Sequence, residues 1–203
     1  MTDRVLGHTT PGGHLPSMED ALARDLTVTE TTVRSAARGD EVAFARLVAD
    51  HHAAMARVAY VICGDPEATR DAAQSAWTIA WRRIGSLRNS SQVRAWLIAI
   101  AANEARQVVR RRRRERVVDI SADVRIEDRP DPGDQVELVD LRRVIHGLKD
   151  GDRTLLALRY AAGLDSVEIA DQLGLSASGV RSRLARLLER LRADLALEPE
   201  TDA

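Results

Sequence analysis

The chain has 203 residues, of which 44% are hydrophobic and only 3% aromatic, and its formal net charge is −1. This length allows one or two domains, and the dominance of Ala, Leu and Val among the apolar residues favours packed helices over strands. The single cysteine, Cys63, excludes an internal disulfide and a cysteine-based zinc site, and the five histidines show no metal-ligand spacing, so we expect no metal and no cofactor. Because there is no apolar run of about 18 residues and no signal-peptide pattern, we expect a cytoplasmic protein without membrane insertion.

The first block of the chain is predicted to be helical after a flexible tail at residues 1–26, which is rich in glycine and proline. Helix start and stop signals recur along it. Asp40 and Asp65 can cap helices, Pro66 suits a first helical turn, and Gly64 can end a helix. The predicted helices span about 29–38, 40–64, 65–84 and, after a polar loop at 85–92, about 93–114.

The composition changes abruptly after residue 114. Residues 115–137 contain two prolines and one glycine and are strongly acidic, which predicts an extended, flexible linker. A second helical block follows, with helices predicted at about 138–147 and 150–162. The chain is therefore predicted to have two helical domains on either side of an acidic linker.

Residues 166–192, SVEIADQLGLSASGVRSRLARLLERLR, carry the most informative pattern. Ser166 and Ser176 are plausible helix caps, and Gly174 supplies the turn residue between two short helices. Val180 and the leucines that follow it at helical spacing form one apolar stripe, and most of the arginines lie off it. This pattern predicts a helix-turn-helix whose second helix enters a DNA major groove. The alternative is a helical hairpin with a solvated charged face.

The two blocks together resemble the extracytoplasmic-function (group IV) sigma factors of bacterial RNA polymerase. The similar stretches are GDPEATRDAAQSAWTIAWRRI, SQVRAWLIAIAANEARQVVRRRRR and LKDGDRTLLALRYAAGLDSVEIADQLGLSASGVRSRLARLLERLR. The resemblance implies an all-α fold with sigma domain 2 at 27–114 and sigma domain 4 at 138–197, joined by the acidic linker at 115–137. It also implies a subunit that binds core RNA polymerase, recognises the −35 and −10 elements of promoter DNA and opens the duplex. Such factors are commonly held inactive by an anti-sigma factor, which makes one a candidate partner.

The resemblance further assigns roles to three surfaces. Docking on the coiled coil of the largest polymerase subunit is implied for one face of the third helix, at Asp71, Gln74, Thr78 and Arg82. Contacts with the −10 element are implied for the polar loop and the helix after it, at Arg88, Asn89, Ser90, Ser91, Gln92, Asn103, Arg106, Gln107 and Arg110. Contacts with the −35 element are implied for the recognition helix, at Ser178, Arg181, Ser182, Arg183 and Arg186. The acidic linker is implied to thread through the polymerase cleft toward the RNA exit channel.

The residue types are compatible with these roles. Extruding a base from the duplex costs a few kcal/mol, which polar contacts from a short loop such as 85–92 can offset, although an ordinary polar connector would look similar. Arg181 is the best candidate for a base contact, because arginine pairs readily with guanine. Arginines 110–114 can neutralise phosphates without reading sequence, the alternative being a solvated helix end. Trp77, Trp81 and Trp96 are expected to pack between helices rather than to stack on bases.

The sequence gives less support to other functions. No nucleophile–base–acid arrangement, phosphate loop or pair of catalytic carboxylates is recognisable, so we expect that the protein is not an enzyme. Residues 71–75 read DAAQS where the resembled family has a pattern like DLVQE, so an acid is missing at Ser75 and bulk at Ala72 and Ala73. This departure supports an alternative, a stand-alone helix-turn-helix regulator that no longer binds core polymerase. A third hypothesis is a protein–protein module whose basic helices bind an acidic partner.

Overall fold

The computed structural model describes the backbone of residues 18–118 and 136–196, and the side chains of residues 27–115 and 141–195. Within these ranges the chain forms helices and turns without strands, in two helical blocks, which confirms the predicted all-α fold class. The helices of the first block are α1 (Met18–Ala36), α2 (Glu41–Cys63), α3 (Pro66–Arg83) and α4 (Val93–Val118). Those of the second are α5 (Val136–Gly147), α6 (Asp150–Leu156), α7 (Ser166–Leu173) and α8 (Ala177–Ala196).

Local signals set the helix ends in the first block as the sequence predicts. Asp40 caps α2, because its carboxylate accepts hydrogen bonds from two backbone N–H groups of the first turn, both at 3.0 Å. Gly64 ends α2 with a φ of 76°, a left-handed conformation that other residues rarely adopt. Asp65 then caps α3 by accepting from the backbone N–H of Ala68 at 2.6 Å, and Pro66 occupies the first helical turn.

Three boundaries differ from the predicted ones. Helix α1 begins at Met18 rather than near residue 29, so residues 18–26 are helical although the sequence predicts a flexible tail there. This stretch, MEDALARDL, lacks glycine and proline, and seven of its nine residues are Met, Glu, Ala, Leu or Arg, which favour helix. Helix α4 continues to Val118 and α5 begins at Val136, so both enter the predicted linker. The rest of the tail, most of the acidic linker and the C-terminus lie outside the described residues: 1–17, 119–135 and 197–203.

An alanine stripe allows α3 to pack closely against its neighbours. Ala68, Ala72, Ala76 and Ala80 recur at four-residue spacing, and each is at most 2% exposed. Small side chains at a contact permit a short interhelical distance, so α2 and α4 both pack against this face. Larger side chains from α2 and α4 fill the space around the stripe, among them Leu47, Met55, Ile62, Leu97 and Ile98.

The tryptophans of the first block contribute to its packing. Trp77 and Trp96 are half-buried against the core, as predicted. Trp77 also donates from its indole N–H to Nδ1 of His52 at 3.1 Å. Trp81 is 38% exposed and meets the ring of Phe44 edge-on, with 4.8 Å between the ring centroids.

The second block is built around the helix-turn-helix. Helix α6 continues into a π-helical turn, Ala157–Ala161, and a left-handed Gly163 then redirects the chain toward α7. The predicted apolar stripe of α8 is confirmed, because Val180, Leu184 and Leu187 are buried under the helix. The stripe holds α8 against α5, α6 and α7 and leaves its opposite face exposed.

The two blocks pack against each other, and we call this contact the closed arrangement. Helix α6 and the π-helical turn lie on α2, and their buried residues belong to the same hydrophobic core as those of the first block. Gln172 on α7 donates from Nε2 to the backbone carbonyl of Ala95 at 2.9 Å, and Arg94 donates to the carbonyl of Ala162. Polar contacts between backbone and side chains thus join α4 to the helix-turn-helix block.

Candidate nucleic-acid interface

The helix-turn-helix is held by caps at both helix starts. Asp165 caps α7 and, together with Glu168, forms a capping box, so Ser166 is the first helical residue and not the predicted cap. The predicted turn at Gly174 is left-handed, with a φ of 66°. Ser176 accepts the backbone N–H of Gly179 at 3.1 Å, as expected of the cap of α8.

The exposed face of α8 carries most of the side chains predicted to contact the −35 element. Ser178, Arg181, Ser182 and Arg186 are all accessible to solvent. Nε of Arg186 donates to the backbone carbonyl of Ser182 one turn earlier, at 3.3 Å, which directs this arginine along the helix. These residues lie away from the buried stripe, so a ligand can reach them without unfolding the block.

Arg183 differs from the other predicted −35 residues, because it is engaged inside the block. Its guanidinium contacts Oδ1 of Asp152 on α6 at 2.9 Å, and Arg190 donates to Oδ2 of the same carboxylate at 2.8 Å. Burial by itself would raise the pKa of Asp152, but the hydrogen bonds from Arg190 and Arg183 outweigh it and hold the pKa below its usual value. Sequence reasoning missed Asp152, because the pair spans 31 residues.

The segment predicted as a polar loop contains two short 3₁₀ turns, at Ile84–Ser86 and Ser90–Gln92. Oδ1 of Asn89 accepts from the backbone N–H of Ser91 at 3.1 Å and from its hydroxyl at 2.7 Å, so the asparagine caps the second turn. The predicted −10 residues of this segment lie together on the surface: Arg88, Asn89, Ser90, Ser91 and Gln92 are each exposed or half-buried.

Helix α4 presents the other predicted −10 residues along one side. Asn103 accepts from Arg106 through its side-chain oxygen, and Nε of Arg110 donates to the carbonyl of Arg106 at 3.3 Å. Burial lowers the pKa of Arg106, and the nearby positive charge of Arg110 lowers it further. Gln107 is exposed and donates to Glu104 at 2.7 Å. Asn103, Gln107 and Arg110 line one shallow surface depression.

One arginine of the 110–114 run is structural. Arg112 donates to Oδ2 of Asp65 at 2.7 Å and lies 3.5 Å from Glu67, so it ties the end of α4 to the start of α3. Burial raises the pKa of Asp65, yet the hydrogen bonds from Ala68 and Arg112 leave it lowered. Of the five arginines predicted to neutralise phosphate, Arg112 is therefore engaged within the first block.

The predicted docking residues share the outer face of α3. Asp71, Gln74, Thr78 and Arg82 are all exposed, opposite the alanine stripe. The hydroxyl of Thr78 donates to the carbonyl of Gln74 at 3.0 Å. Of the three small residues in DAAQS, Ala72 and Ala73 are buried in the core, and Ser75 is on the exposed face.

The described residues contain no group of three or more His, Cys, Asp or Glu side chains placed to hold a metal ion. Burial raises the pKa of Cys63 to about 11, which keeps its thiol protonated and unreactive near neutral pH. Among the described helices, none combines the length and the apolar content that a membrane span requires.

Family profiles match both blocks: Sigma-70 region 2 matches residues 47–115, and Sigma-70 region 4 matches residues 138–191. The RNA polymerase sigma factor NccH of Alcaligenes xylosoxydans xylosoxydans is 32% identical over 178 residues, covering 83% of this chain and 95% of that protein. CnrH of Cupriavidus metallidurans is 32% identical, covering 81% of this chain and 93% of that protein. The chain is also 32% identical to a probable sigma factor, RfaY of Xanthomonas campestris pv. campestris, but spans only 42% of its length.

Two solved structures share the fold. The structure of CnrH in complex with the cytosolic domain of CnrY matches with a TM-score of 0.66 and 27% identity, over 85% of this chain and 99% of that one. The sigma factor RpoE, bound to the anti-sigma factor NepR from Bartonella quintana, matches with a TM-score of 0.64 over 77% of this chain and 98% of that one, at 22% identity, and supports the fold alone. The two sigma regions, in this order and in this fold, place the chain in the sigma-70 family, among the extracytoplasmic-function RNA polymerase sigma factors.

Proposed function

We propose that this chain directs core RNA polymerase to specific promoters by reading a −35 element with its second block and a −10 element with its first, and that it opens the DNA there. The observation that carries the proposal is the pairing of two matched sigma regions, each with an exposed basic and polar surface on rigid helices. The protein acts by binding polymerase and DNA rather than by catalysing a reaction itself. Its place of action is the cytoplasm, on the nucleoid.

The −35 contacts are assigned to the exposed face of α8. Arg181 lies near the start of this helix, where recognition helices reach base edges, and it can pair with a guanine through two hydrogen bonds. Ser178 and Ser182 are short enough to let the helix approach the groove closely. Arg186, one turn further on, is placed for a base or a phosphate.

The −10 contacts are assigned to the 3₁₀ segment and α4. The capped turn at Asn89 gives Arg88 and Gln92 a defined backbone from which to contact an extruded base. Because DNA opening here uses binding energy alone, contacts to the single strand must offset the few kcal/mol that base extrusion costs. Arg110 and the exposed arginines after it contribute phosphate contacts, which strengthen binding without selecting sequence.

Core polymerase is assigned to the exposed face of α3. Asp71, Gln74, Thr78 and Arg82 follow one another at helical spacing on this face, and place acidic, neutral and basic groups along it. Ala72 and Ala73 lie in the core, so the larger residues that the family has at those positions affect helix packing rather than docking. Only Ser75 changes the chemistry of the exposed face.

Promoter binding requires that the closed arrangement opens. Elements centred near −35 and −10 lie about 25 base pairs apart, which is about 85 Å of B-form DNA. In the closed arrangement Gln172 of α7 donates to the backbone of α4, so the helix-turn-helix block lies directly against the helix that carries −10 residues. We therefore expect core polymerase to separate the blocks as the holoenzyme forms.

An anti-sigma factor is the other proposed partner. CnrH was solved in complex with the cytosolic domain of CnrY. A partner that held the two blocks together would keep the −35 and −10 surfaces from engaging one promoter.

The alternative is a stand-alone DNA-binding regulator, which the missing acid at Ser75 favours. Run-off transcription separates the two functions. Core polymerase and this protein are incubated with fragments of the source genome, and the RNA ends are sequenced. Discrete start sites that share −35 and −10 elements support the proposal. Selective DNA binding by the protein alone, without new transcripts and without a complex with core polymerase, would establish the alternative.

A matched pair of variants makes the docking assignment testable in the same assay. Asp71→Ala alters the proposed polymerase surface on α3, whereas Glu30→Ala removes an exposed acid on α1, outside that surface. Loss of complex formation with core polymerase in the first variant alone supports docking through α3. Equal binding by both variants would exclude Asp71 from that surface.

A further inference from the structure

The arginines of the recognition helix differ in whether a buried carboxylate engages them. Arg181 and Arg186 are exposed, and Nε of Arg186 donates to a backbone carbonyl of its own helix. Arg183 and Arg190 are seven residues apart, which is close to two helical turns, so they lie on one flank of α8. The side chains on this flank are 43% exposed for Arg183 and 56% exposed for Arg190. They are therefore close enough to solvent to reach DNA, yet both are engaged by one carboxylate.

Asp152 is that carboxylate, and its position on α6 is suited to holding both arginines. Its side chain is only 9% exposed, and its two oxygens are divided between the partners: Oδ1 contacts Arg183 at 2.9 Å and Oδ2 contacts Arg190 at 2.8 Å. Charge-assisted hydrogen bonds of this length are among the stronger polar contacts in proteins. The carboxylate thus restrains two cationic side chains on the helix that is proposed to read DNA.

The residue before Asp152 makes room for this contact. A Cβ at Gly151 would lie 2.9 Å from Nη2 of Arg183, so any larger residue there would displace the guanidinium. Asp152, Arg183, Arg186 and Arg190 also line one open groove along α8, so a released guanidinium would have space to move within it.

We propose that Asp152 is a positioning residue for promoter recognition, which restrains Arg183 and Arg190 on the flank of α8 and so leaves base contacts in the major groove to Arg181 and Arg186. Unpaired arginines contact phosphates of any sequence and raise non-specific affinity. By holding two of them, Asp152 increases the difference between binding to a −35 element and binding to random DNA. The inference rests on the proposed −35 role of α8.

The test is the salt dependence of DNA binding by the full-length protein. Asp152→Asn is compared with the wild type on a short random-sequence duplex, by fluorescence anisotropy between about 50 and 200 mM salt. Each additional phosphate contact steepens the plot of log K against log salt by about 0.9. Release of both arginines therefore predicts a slope that is steeper by about 1 to 2, with tighter binding to random DNA at low salt.

Two variants separate positioning from other effects of the substitution. Asp171→Asn, at an exposed acid of α7, changes the net charge of the second block by the same amount as Asp152→Asn and is expected to keep the wild-type slope. Asp152→Glu keeps a carboxylate and is expected to restore much of the wild-type slope. Thermal unfolding of each variant confirms that the slopes are read from folded protein.

The outcomes are distinct. A steeper slope for Asp152→Asn alone, with a smaller preference for promoter over random DNA, supports the inference. An unchanged slope with a lowered melting temperature would mean that Asp152 only stabilises the block, and the inference would be overturned. If the wild type and Asp152→Asn both bind without dependence on salt or sequence, the −35 role of α8 itself is wrong.

Discussion

Gly64 provides a direct test of the closed arrangement. A Cβ at this position would lie 1.9 Å from Cε1 of His146 on α5, so the imidazole has to move if Gly64 is replaced. Gly64→Ala is also penalised by the left-handed backbone, at about 1–2 kcal/mol. Gly39 is the matched control, because its φ is 90° and a methyl group there would meet nothing within 4 Å. We therefore expect Gly39→Ala to cost about 1–2 kcal/mol, and Gly64→Ala to cost about 1–3 kcal/mol more through overpacking.

The assay is denaturant unfolding of the full-length protein, with His146→Ala made alone and together with Gly64→Ala. Removing the imidazole leaves room for the new methyl group, so the two substitutions should couple by about 0.5–3 kcal/mol. For a chain of this size each kcal/mol corresponds to a change of about 2–4 °C in the melting temperature. If Gly64→Ala and Gly39→Ala destabilise equally and His146→Ala relieves nothing, α5 does not rest on the end of α2, and the reasoning is refuted.

Three further predictions concern the cap of α3, the recognition helix and the alanine stripe. Because the pKa of Asp65 is lowered in the folded protein, its carboxylate stabilises the fold above about pH 4, and this contribution is lost as the pH falls through the pKa of the folded state. Asp65→Ala should therefore cost about 1–2 kcal/mol in urea unfolding at neutral pH and much less in acid. Arg181→Ala should cost about 1–3 kcal/mol of promoter binding and relax selectivity at one base pair. Arg192 is exposed near the end of α8, too far along the helix to reach the bases, so Arg192→Ala should weaken all sequences alike. Binding to a panel of −35 variants would reveal the difference. Ala76→Leu should destabilise the first block by about 1–3 kcal/mol in thermal unfolding, and the exposed Ser75→Ala should stay within about 0.5 kcal/mol; similar values for both would contradict the packing of α3.

Signals that act over a few residues were predictable from the sequence. Asp40 and Asp65 cap the helices that they precede, and Gly64 and Gly174 end helices with positive φ, as expected. Each of these depends on hydrogen bonds within one or two turns of a helix, so the neighbouring residues decide the outcome. The error at Ser166 is of the same local kind: the adjacent Asp165 takes the cap because its carboxylate and Glu168 complete a capping box.

The alanine stripe and the apolar stripe of α8 could also be predicted from the sequence, because helical periodicity alone determines which residues share a face. The DAAQS motif illustrates the limit of such reasoning. Its small residues look like a weakened docking surface in the sequence, but Ala72 and Ala73 are buried between α2 and α4. Which face of α3 turns inward became certain only with the packed helices.

Most of the helices and caps, the two sigma regions and the sets of residues that share a helix face could be predicted from the sequence, because these depend on periodicity and on contacts a few residues long. Which charged and polar groups meet depends instead on how the helices pack. Asp152 with Arg183, Asp65 with Arg112, and Gln172 with the backbone of α4 are brought together from 31, 47 and 77 residues apart. A long arginine on a helix surface can reach several acids or none, and the choice depends on how the helices pack rather than on its neighbours in the chain.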